Sequence, residues 1–387
     1  MVLGFLLARA GFDVMVLEKH ADFLRDFRGD TIHPSTLELM YELGCLDDFL
    51  RRPHQEFNQL GAQIDDFLVT VADFSHLPTH CKFVALMPQW DFLNFIAERG
   101  QRYPTFQLRM ESEVTDLLEE NGRITGVRVS TPNGVLEVHA DLTVGADGRH
   151  SIVREKAAFE VIDLGAPIDV LWMRVSRQAS DPNETLGRLR RGKILVTLDR
   201  GDYWQCAYVI RKGGFDTIRE KGLAAFREDL VEVAPFLTGR VDELKDWDDI
   251  KLLSVAVDRL RQWSRPGLLC IGDSAHAMSP IGGVGINLAI QDAVAAANIL
   301  ARPLLDGDVS GEVLREVQKR REFPTRVTQG FQVFAHKHAL GPALGNETRL
   351  PRLPLPFKLL QRFPVLRRIP ARMVGVGVRP EHIRTPC

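Results

Sequence analysis

The chain has 387 residues, of which 45% are hydrophobic and 26% are charged, and its formal net charge is −2. These values are ordinary for a soluble globular protein with a large core, and the length suits two domains. The balanced charge gives no indication of a nucleic-acid partner. Five scattered cysteines, without a CxxC pair or a Cys/His cluster, predict reduced thiols, no metal site and a cytoplasmic protein.

The first predicted elements are a helix over residues 2–10, which Gly11 ends, and an apolar strand Val14–Leu17 with Glu18 at its tip. This order matches the second half of a βαβ dinucleotide-binding unit, in which the acidic residue binds a ribose hydroxyl. No strand and no GxGxxG loop precede the helix in the sequence. We therefore expect the unit to lack its first strand and its phosphate loop. We interpret the apolar start as part of the fold, not as a signal peptide, and no stretch is apolar enough to predict a membrane span.

A polar loop containing Arg28 comes next, followed by a predicted helix over 36–43. Ser35 is the expected N-cap, Glu38 would complete a capping box, and Gly44 would end the helix. Arg28 could contact a pyrophosphate or could be an exposed loop charge, and the sequence leaves both interpretations open.

The next segment predicts a β-hairpin over 60–86 and a helix that begins at Pro88 and carries Gln89 in its first turn. Two Asn-Gly turns then separate three predicted strands, at 113–118, 124–130 and 135–144. The last strand leads into Asp147-Gly148, which places a second carboxylate beside a glycine at a strand tip.

Residues 165–255 have a different pattern. An antiparallel sheet is predicted from strands at 170–175, 194–198 and 204–210, followed by a helix over 216–235. Three aromatic residues on these strands are candidate substrate contacts, although single aromatic residues on strands more often pack in the core: Trp172, Trp204 and Tyr208.

The most informative stretch is 268–293. A short apolar strand ends at Gly272-Asp273, a glycine-rich loop follows, and an apolar helix begins at Ile286. This arrangement predicts a site for an anionic cofactor, because backbone N–H groups and the positive end of a helix face the ligand. We expect a side chain at Gly283 or Gly285 to clash with a bound ring or to twist the loop. We interpret His276 as a structural residue.

Helices are predicted over 287–301 and 311–338. The tail, 349–387, carries nine Lys or Arg residues against one Glu, with prolines and apolar residues between them. We interpret the tail as a basic, partly irregular cover, and contact with an anionic membrane surface is the alternative.

Three motifs, in this order and spacing, carry a resemblance to a known family: DVMVLEK, ADGRHSIVR and GDSAHAMSPIGGVGINLAIQDA. They resemble those of the group A flavin monooxygenases, the para-hydroxybenzoate hydroxylase-like aromatic hydroxylases. The resemblance implies an α/β fold with a Rossmann-like FAD-binding domain of three layers, built on a parallel sheet. A substrate domain with a mixed or antiparallel β-sheet interrupts this domain, and the C-terminus is helical. The implied boundaries are 1–58, 87–160 and 256–335 for the FAD-binding domain, 59–86 and 161–255 for the substrate domain, and 336–387 for the cover.

The same resemblance implies roles for individual residues. Glu18 corresponds to the acid that binds the adenosine ribose, Arg28 to an arginine that reaches the pyrophosphate or ribose, and Gln89 to a flavin contact. Asp147 and Gly148 correspond to a motif implicated in both FAD and NAD(P)H binding.

The last motif corresponds to the flavin end of the site. Asp273 resembles the aspartate that binds the ribityl hydroxyls. The loop that passes the isoalloxazine ring, and the helix start that points at it, correspond to Pro280, Gly283, Gly285, Ile286 and Asn287.

The resemblance implies an NAD(P)H-dependent hydroxylase of a small aromatic or polyketide-like molecule. NAD(P)H would reduce FAD, O₂ would add at flavin C4a, and the hydroperoxide would deliver one oxygen atom, so no catalytic protein residue is required. Two alternatives stay open: an FAD-dependent reductase or dehydrogenase of a prenyl or lipid-like substrate, and an inactive, N-terminally truncated flavoprotein fragment. A flavin halogenase is disfavoured because the sequence contains no WxWxIP motif.

Overall fold

The computed structural model describes residues 1–24, 31–182, 186–307, 309–344 and 353–386. The helices are α1 (Val2–Arg9), α2 (Pro34–Glu42), α3 (Leu46–Leu50), α4 (Gln89–Gly100), α5 (Ile152–Lys156), α6 (Phe215–Lys221), α7 (Leu223–Val233), α8 (Val284–Leu305), α9 (Gly311–Ala335), α10 (Gly341–Ala343), α11 (Leu355–Arg362) and α12 (Arg368–Gly375). The strands are β1 (Val14–Leu17), β2 (Thr31–Ile32), β3 (Gln55–Phe57), β4 (Gln59–Ile64), β5 (Phe67–Asp73), β6 (Val84–Leu86), β7 (Phe106–Arg109), β8 (Glu113–Glu120), β9 (Arg123–Thr131), β10 (Gly134–His139), β11 (Thr143–Gly145), β12 (Val161–Asp163), β13 (Ile168–Ser176), β14 (Leu186–Arg190), β15 (Lys193–Asp199), β16 (Tyr203–Arg211), β17 (Lys251–Leu253), β18 (Asp258–Leu260), β19 (Ser264–Arg265) and β20 (Leu268–Cys270).

Short parallel pairs form the sheet of the first domain. β1 pairs in parallel with β7, and β11 pairs in parallel with β20. Helix α1 packs against α4 and α8, and these elements share one core cluster in which Leu6, Leu268 and Leu269 are fully buried. All three residues of β20 are buried, which fits its continuous apolar sequence, whereas β1 is half-buried and β7 alternates apolar and polar residues.

A meander of β8, β9 and β10 forms a further layer, with β9 in contact with β11. The predicted single strand over 135–144 is wrong, because β10 ends at His139 and β11 begins at Thr143. Ala140 still donates its N–H to the meander, at the Thr125 carbonyl, whereas Thr143 donates to Gly267 beside β20. The chain changes sheets inside one apolar run, which the hydrophobic pattern does not reveal.

Two helix predictions also need correction. Helix α2 begins at Pro34 with His33 as its N-cap, so Ser35 lies within the first turn and the predicted capping box is absent. Proline is well suited to the first helical position because its φ is already helical and its missing N–H has no partner to lose. The helix predicted over 216–235 is interrupted at Gly222, whose φ is +89°, and forms the separate helices α6 and α7.

A seven-stranded sheet forms the second domain, in the order β17-β13-β16-β15-β14-β4-β5. All neighbours are antiparallel except β14 and β4, which pair in parallel. One face of this sheet packs on α7, and the other faces a large cavity. The predicted fold class is confirmed: an antiparallel sheet interrupts an α/β domain, and the C-terminal part is helical. The domain boundaries stay a prediction.

Helix α8 is the central helix of the first domain and contacts α1, α2 and α9. In the described part of the chain, one helical stretch, Ile281–Leu305, is long and apolar enough to cross a membrane, but 61% of its most apolar window is buried inside the protein. The C-terminal helices α11 and α12 pack against β5.

Candidate active site

A cavity of about 2350 Å³ lies between the parallel strands and the seven-stranded sheet. Pockets for drug-sized ligands typically measure about 300–1,000 Å³, so this cavity has room for a dinucleotide-sized group and a second ligand. One end is lined by the tips of β1, β11 and β20 and by the N-terminus of α8, and the other by β13, β14, β15 and β16.

Two predicted carboxylates lie in this cavity at strand tips. Glu18 follows β1, with its backbone N–H donating to the Arg109 carbonyl. Asp273 follows β20, and its Oδ2 accepts a hydrogen bond of 3.4 Å from Arg149 Nη2. This ion pair joins two motifs that are 124 residues apart in the sequence. Arg149 was not identified from the sequence, and only its position beside Asp147-Gly148 could have indicated it.

Arg149 has a second feature that bears on ligand binding. Its Nη1 atom is buried and has no hydrogen-bond partner among the described residues. A buried donor without a partner is costly, which makes this atom a candidate contact for an anionic or polar ligand group.

The Asp147 carboxylate contacts the protein itself. It accepts hydrogen bonds from Ser151 Oγ at 2.5 Å and from the Val153 N–H at 3.1 Å, which holds the turn that begins α5. Gly148 lies beside it with a φ of +86°, a value that favours glycine. Both residues line the cavity, and the hydrogen bonds of Asp147 hold the backbone of this part of its wall.

The glycine loop lies where α8 begins. Gly282 and Gly283 have φ values of +77° and +61°, and Thr31 Oγ1 donates a hydrogen bond to the Gly283 carbonyl. Helix α8 has no side-chain N-cap and no acidic residue in its first turn. Residues of this loop and of the first turn of α8 line the cavity, among them Pro280, Gly282, Gly283, Gly285 and Ile286.

The structure places Asn287 behind this loop instead of in the cavity. Its buried amide oxygen accepts from the His33 N–H and from Thr36 Oγ1, and its amide nitrogen donates to the carbonyls of Thr31 and Gly283. The amide oxygen and nitrogen therefore each have two protein partners. Asn287 holds the loop against β2 and α2.

The remaining predicted cofactor contacts are Gln89 and Arg28. Gln89 is the first residue of α4 and lines the cavity. Arg28 lies outside the described residues.

The three candidate aromatic residues do not share one face of the seven-stranded sheet. Trp172 lines the cavity. Trp204 is fully buried on the opposite face, where its Nε1 donates to Asp181 at 2.7 Å, and Tyr208 packs there against Phe226. Because side chains alternate along a strand, residues at even spacing on β16 share this helix-covered face. The proposed substrate contacts at Trp204 and Tyr208 are therefore wrong.

His33 connects the glycine loop to the C-terminal helices. It is buried, and its Nδ1 lies 2.8 Å from the Val374 carbonyl, which requires Nδ1 to be the protonated nitrogen of the neutral ring. Burial lowers the pKa of His33 to about 4, although the hydrogen bond to Val374 acts in the opposite direction.

This lowered pKa predicts a stability change at acid pH. Between pH 6.5 and pH 4 the unfolded chain binds a proton at His33 that the folded chain does not, so the free energy of unfolding falls as the pH falls. We expect a loss of about 2 kcal/mol between pH 7 and pH 5 from this residue. His33→Asn keeps a donor for Val374 and should remove this loss in urea unfolding measured at both pH values. The exposed control His139→Asn should keep it, and equal pH slopes for all three proteins would contradict the assignment.

His276 is not in the cavity lining. It is buried, and its Nε2 lies 2.5 Å from Asp292 Oδ2, while Arg321 Nε contacts the other carboxylate oxygen at 2.8 Å. These contacts support the interpretation of His276 as a structural residue. Asp292 and Arg321 were not identified from the sequence, because nothing in the local pattern distinguishes a buried ion pair from exposed helix charges.

A Rossmann-like sheet with carboxylates at its strand tips, and a glycine loop before an uncapped helix at a large cavity, are typical of a dinucleotide-binding domain. Residues 1–330 match the family described as "FAD binding domain". The chain is 32% identical to 6-methylpretetramide 4-monooxygenase of Streptomyces rimosus over 390 residues, which cover 100% of this chain and 91% of that relative.

Two solved structures have the same fold. One is p-nitrophenol 4-monooxygenase PnpA of Pseudomonas putida DLL-E4, with a TM-score of 0.75 and 18% identity over 97% of this chain and 94% of that one. The other is pqsL, a probable FAD-dependent monooxygenase of Pseudomonas aeruginosa, with a TM-score of 0.73 and 21% identity over 90% and 94%. This chain belongs to the FAD-binding domain family of flavin-dependent monooxygenases, which confirms the predicted resemblance and the oxidoreductase class.

Proposed function

We propose that this protein is an FAD-dependent monooxygenase that uses NAD(P)H and O₂ to hydroxylate an aromatic or polyketide-like small molecule. The observation that carries the proposal is the start of α8, a 22-residue helix whose first turn opens into the cavity without a side-chain cap or an acidic residue. Its N–H groups and its positive dipole end favour an anionic group at this place by about 0.3–2 kcal/mol.

The other cavity residues fit the remaining parts of FAD. Glu18 and Asp273 offer carboxylate oxygens, which suit the hydroxyl groups of the ribose and of the ribityl chain. Arg149 offers a buried donor that no described residue satisfies, which suits a polar or anionic part of the cofactor. Gln89, Pro280 and the glycines of the loop would lie against the ring system.

The flavin, when bound, would supply the redox and oxygen-transfer chemistry. The residues of the chain would hold the cofactor and orient the substrate against it, and no protein nucleophile is needed. The apolar cavity face of the seven-stranded sheet, with Trp172, Val170, Ile194 and Val209, would receive the substrate and exclude water. The names of similar proteins support this substrate class, since PnpA acts on p-nitrophenol, a small aromatic compound.

The parallel strands leave room for a further strand at the end of the site where the cofactor phosphates would bind. Within the described residues, β1 has no neighbouring strand other than β7, and β11 has none other than β20. The unpaired edges of β1 and β11 both border the cavity. These edges favour one further parallel strand between them, as the predicted dinucleotide unit requires. FAD binding should therefore be measured both for this chain and for a version that carries an added N-terminal strand and glycine loop.

The decisive experiment combines a flavin titration with oxygen consumption. We expect bound FAD to give flavin absorbance bands, and an aromatic substrate to accelerate NAD(P)H oxidation together with O₂ uptake. Substrate turnover that is unchanged without O₂ would favour the alternative, a reductase or dehydrogenase. Failure of both versions of the chain to bind FAD would refute the proposal.

Asp273 provides a test within the site. Asp273→Ala removes a charged hydrogen-bond acceptor, and we expect FAD affinity to fall about 10-fold to 100-fold, since hydrogen bonds to charged groups contribute about 1.5–3 kcal/mol. The quenching of flavin fluorescence on binding measures the affinity. Asp242→Ala is the matched control, because Asp242 is an exposed partner of Arg227 outside the cavity lining and its loss should leave the affinity unchanged. An unaltered affinity in Asp273→Ala would remove this residue from the site.

A further inference from the structure

We propose that helices α11 and α12 form a surface that binds anionic phospholipid membranes. The surface, called the tail surface below, has apolar and basic side chains on the same exposed turns. Its members are Leu355, Lys358, Leu359, Arg362, Phe363, Val365, Arg368, Ile369 and Arg372.

The same exposed pattern occurs in α11 and in the segment formed by the 3₁₀ turn Pro364–Arg367 together with α12. Positions 355, 358, 359 and 362 are Leu, Lys, Leu and Arg, and positions 365, 368, 369 and 372 are Val, Arg, Ile and Arg. Residues three and four apart lie on one face of a helix, so each segment presents two apolar and two basic side chains together. The exposed fractions are 68% for Leu355, 58% for Val365 and 60% for Ile369, high values for large apolar residues.

The charge of this surface differs from that of the whole chain. Residues 355–375 contain five basic residues and no acidic one, whereas the full chain has a net charge of −2. Lys358, Arg362, Arg368 and Arg372 form no salt bridge with any carboxylate in the described part of the chain. No carboxylate among the described residues competes for these exposed cations, and each basic residue near an anionic lipid layer contributes about 1 kcal/mol.

The helices are already folded and held in place by their inner faces. Ala371 is fully buried in a cluster with Phe74 and Leu77, and Phe357 packs on the apolar side of β5. Gln361 Nε2 donates to the Leu68 carbonyl, beside a Leu68 side chain that is 57% exposed. The tail surface can therefore bind a partner without first having to fold. The exposed Leu68 side chain extends its apolar part.

The mixture of side chains favours a membrane over a second copy of this chain. A two-fold interface uses the same patch on both subunits, which would bring the exposed cations of one tail surface against those of the other. At a lipid headgroup layer, the same cations meet phosphates while the apolar side chains enter the acyl boundary. Pro356 and Phe357 also line the cavity, so a bound membrane would lie beside the cavity wall.

Flotation with lipid vesicles tests the proposal on the full chain. Vesicles of phosphatidylcholine mixed with phosphatidylglycerol should carry the protein, vesicles of phosphatidylcholine alone should carry much less, and added salt should weaken binding. The combined variant Arg362→Gln, Arg368→Gln and Arg372→Gln should lower the partition coefficient roughly 100-fold. Leu359→Ser with Ile369→Ser should also release the protein, because the apolar contact is lost.

A matched control removes the same charge elsewhere. Arg315→Gln, Lys319→Gln and Arg326→Gln are exposed changes on α9 and should retain vesicle binding, and circular dichroism should show that every variant is folded. Absence of binding to anionic vesicles, or equal loss in both triple variants, would overturn the proposal. So would a dimer that only the tail variants dissociate, since the surface would then be an interface between copies. None of these results depends on flavin.

Discussion

Replacing Arg321 with methionine is expected to lower the free energy of unfolding by about 3–5 kcal/mol, because removal of one partner leaves a buried charge without full compensation. Arg321 and Asp292 are both almost completely buried, with Nε 2.8 Å from Oδ1. Asp292 also accepts from the Gly272 N–H at 3.0 Å, and Arg321 reaches Glu381 in the C-terminal segment at 3.3 Å. The loss of Arg321 should therefore weaken the contacts that hold α8, α9 and the C-terminal segment to one another.

The pKa of Asp292 follows from the same contacts. Burial alone would raise its pKa, but the opposing effects of His276 and Arg321 outweigh burial and hold the pKa below its usual value. A carboxylate with a lowered pKa stabilises the folded state at neutral pH, and that contribution disappears as the pH falls through the folded pKa. Loss of Arg321 should shift the acid unfolding transition to higher pH.

Urea and acid unfolding of three variants would measure this effect. Arg326→Met is the matched control, because Arg326 lies on the same helix and pairs with Glu322 in an exposed position, so its loss should cost below about 1 kcal/mol. Arg321→Lys keeps the positive charge, and its loss of stability should lie between those of the two methionine variants. If Arg321→Met and Arg326→Met destabilised the protein equally, the buried network would not be the main link between these segments.

Replacing Gly283 with alanine is expected to destabilise the fold by about 2–4 kcal/mol and to abolish flavin binding. A Cβ at this position would lie 2.0 Å from Thr31 Oγ1 and 3.0 Å from Thr31 Cβ, and the φ of +61° already disfavours a side chain. The loop would have to move away from β2, which would displace the start of α8.

Gly285→Ala separates stability from cofactor binding. A Cβ at Gly285 would make only ordinary contacts, 3.8 Å from Met278 and 3.9 Å from Asp273, so the expected clash within the protein is confined to Gly283. Gly285→Ala should change stability by less than about 1 kcal/mol, and yet lower FAD affinity if a ring lies against this glycine. Urea unfolding and flavin titration of both variants make the comparison. Equal stability losses would contradict this assignment of the two glycines.

Much of the cofactor end could be predicted because its signals are local. Gly11 has a φ of +90° at the end of α1, and Glu18 lies at the tip of β1 as expected. Asp273 and the glycine loop likewise follow from a strand, a carboxylate and a helix start within one short stretch. Each of these features depends on backbone geometry that a few neighbouring residues dictate.

The sequence alone thus determined the order of most helices and strands, the family motifs and the residues at the strand tips, since hydrophobic period and turn chemistry act over a few residues. Only the tertiary structure decided which side of the seven-stranded sheet meets the cavity, because both of its faces are apolar and the alternation does not say which one a ligand contacts. It also decided that Arg149 pairs with Asp273, that Asn287 holds the loop from behind, and that Arg321 reaches Asp292. These contacts join distant parts of the chain, so their partners are set by packing and not by local pattern.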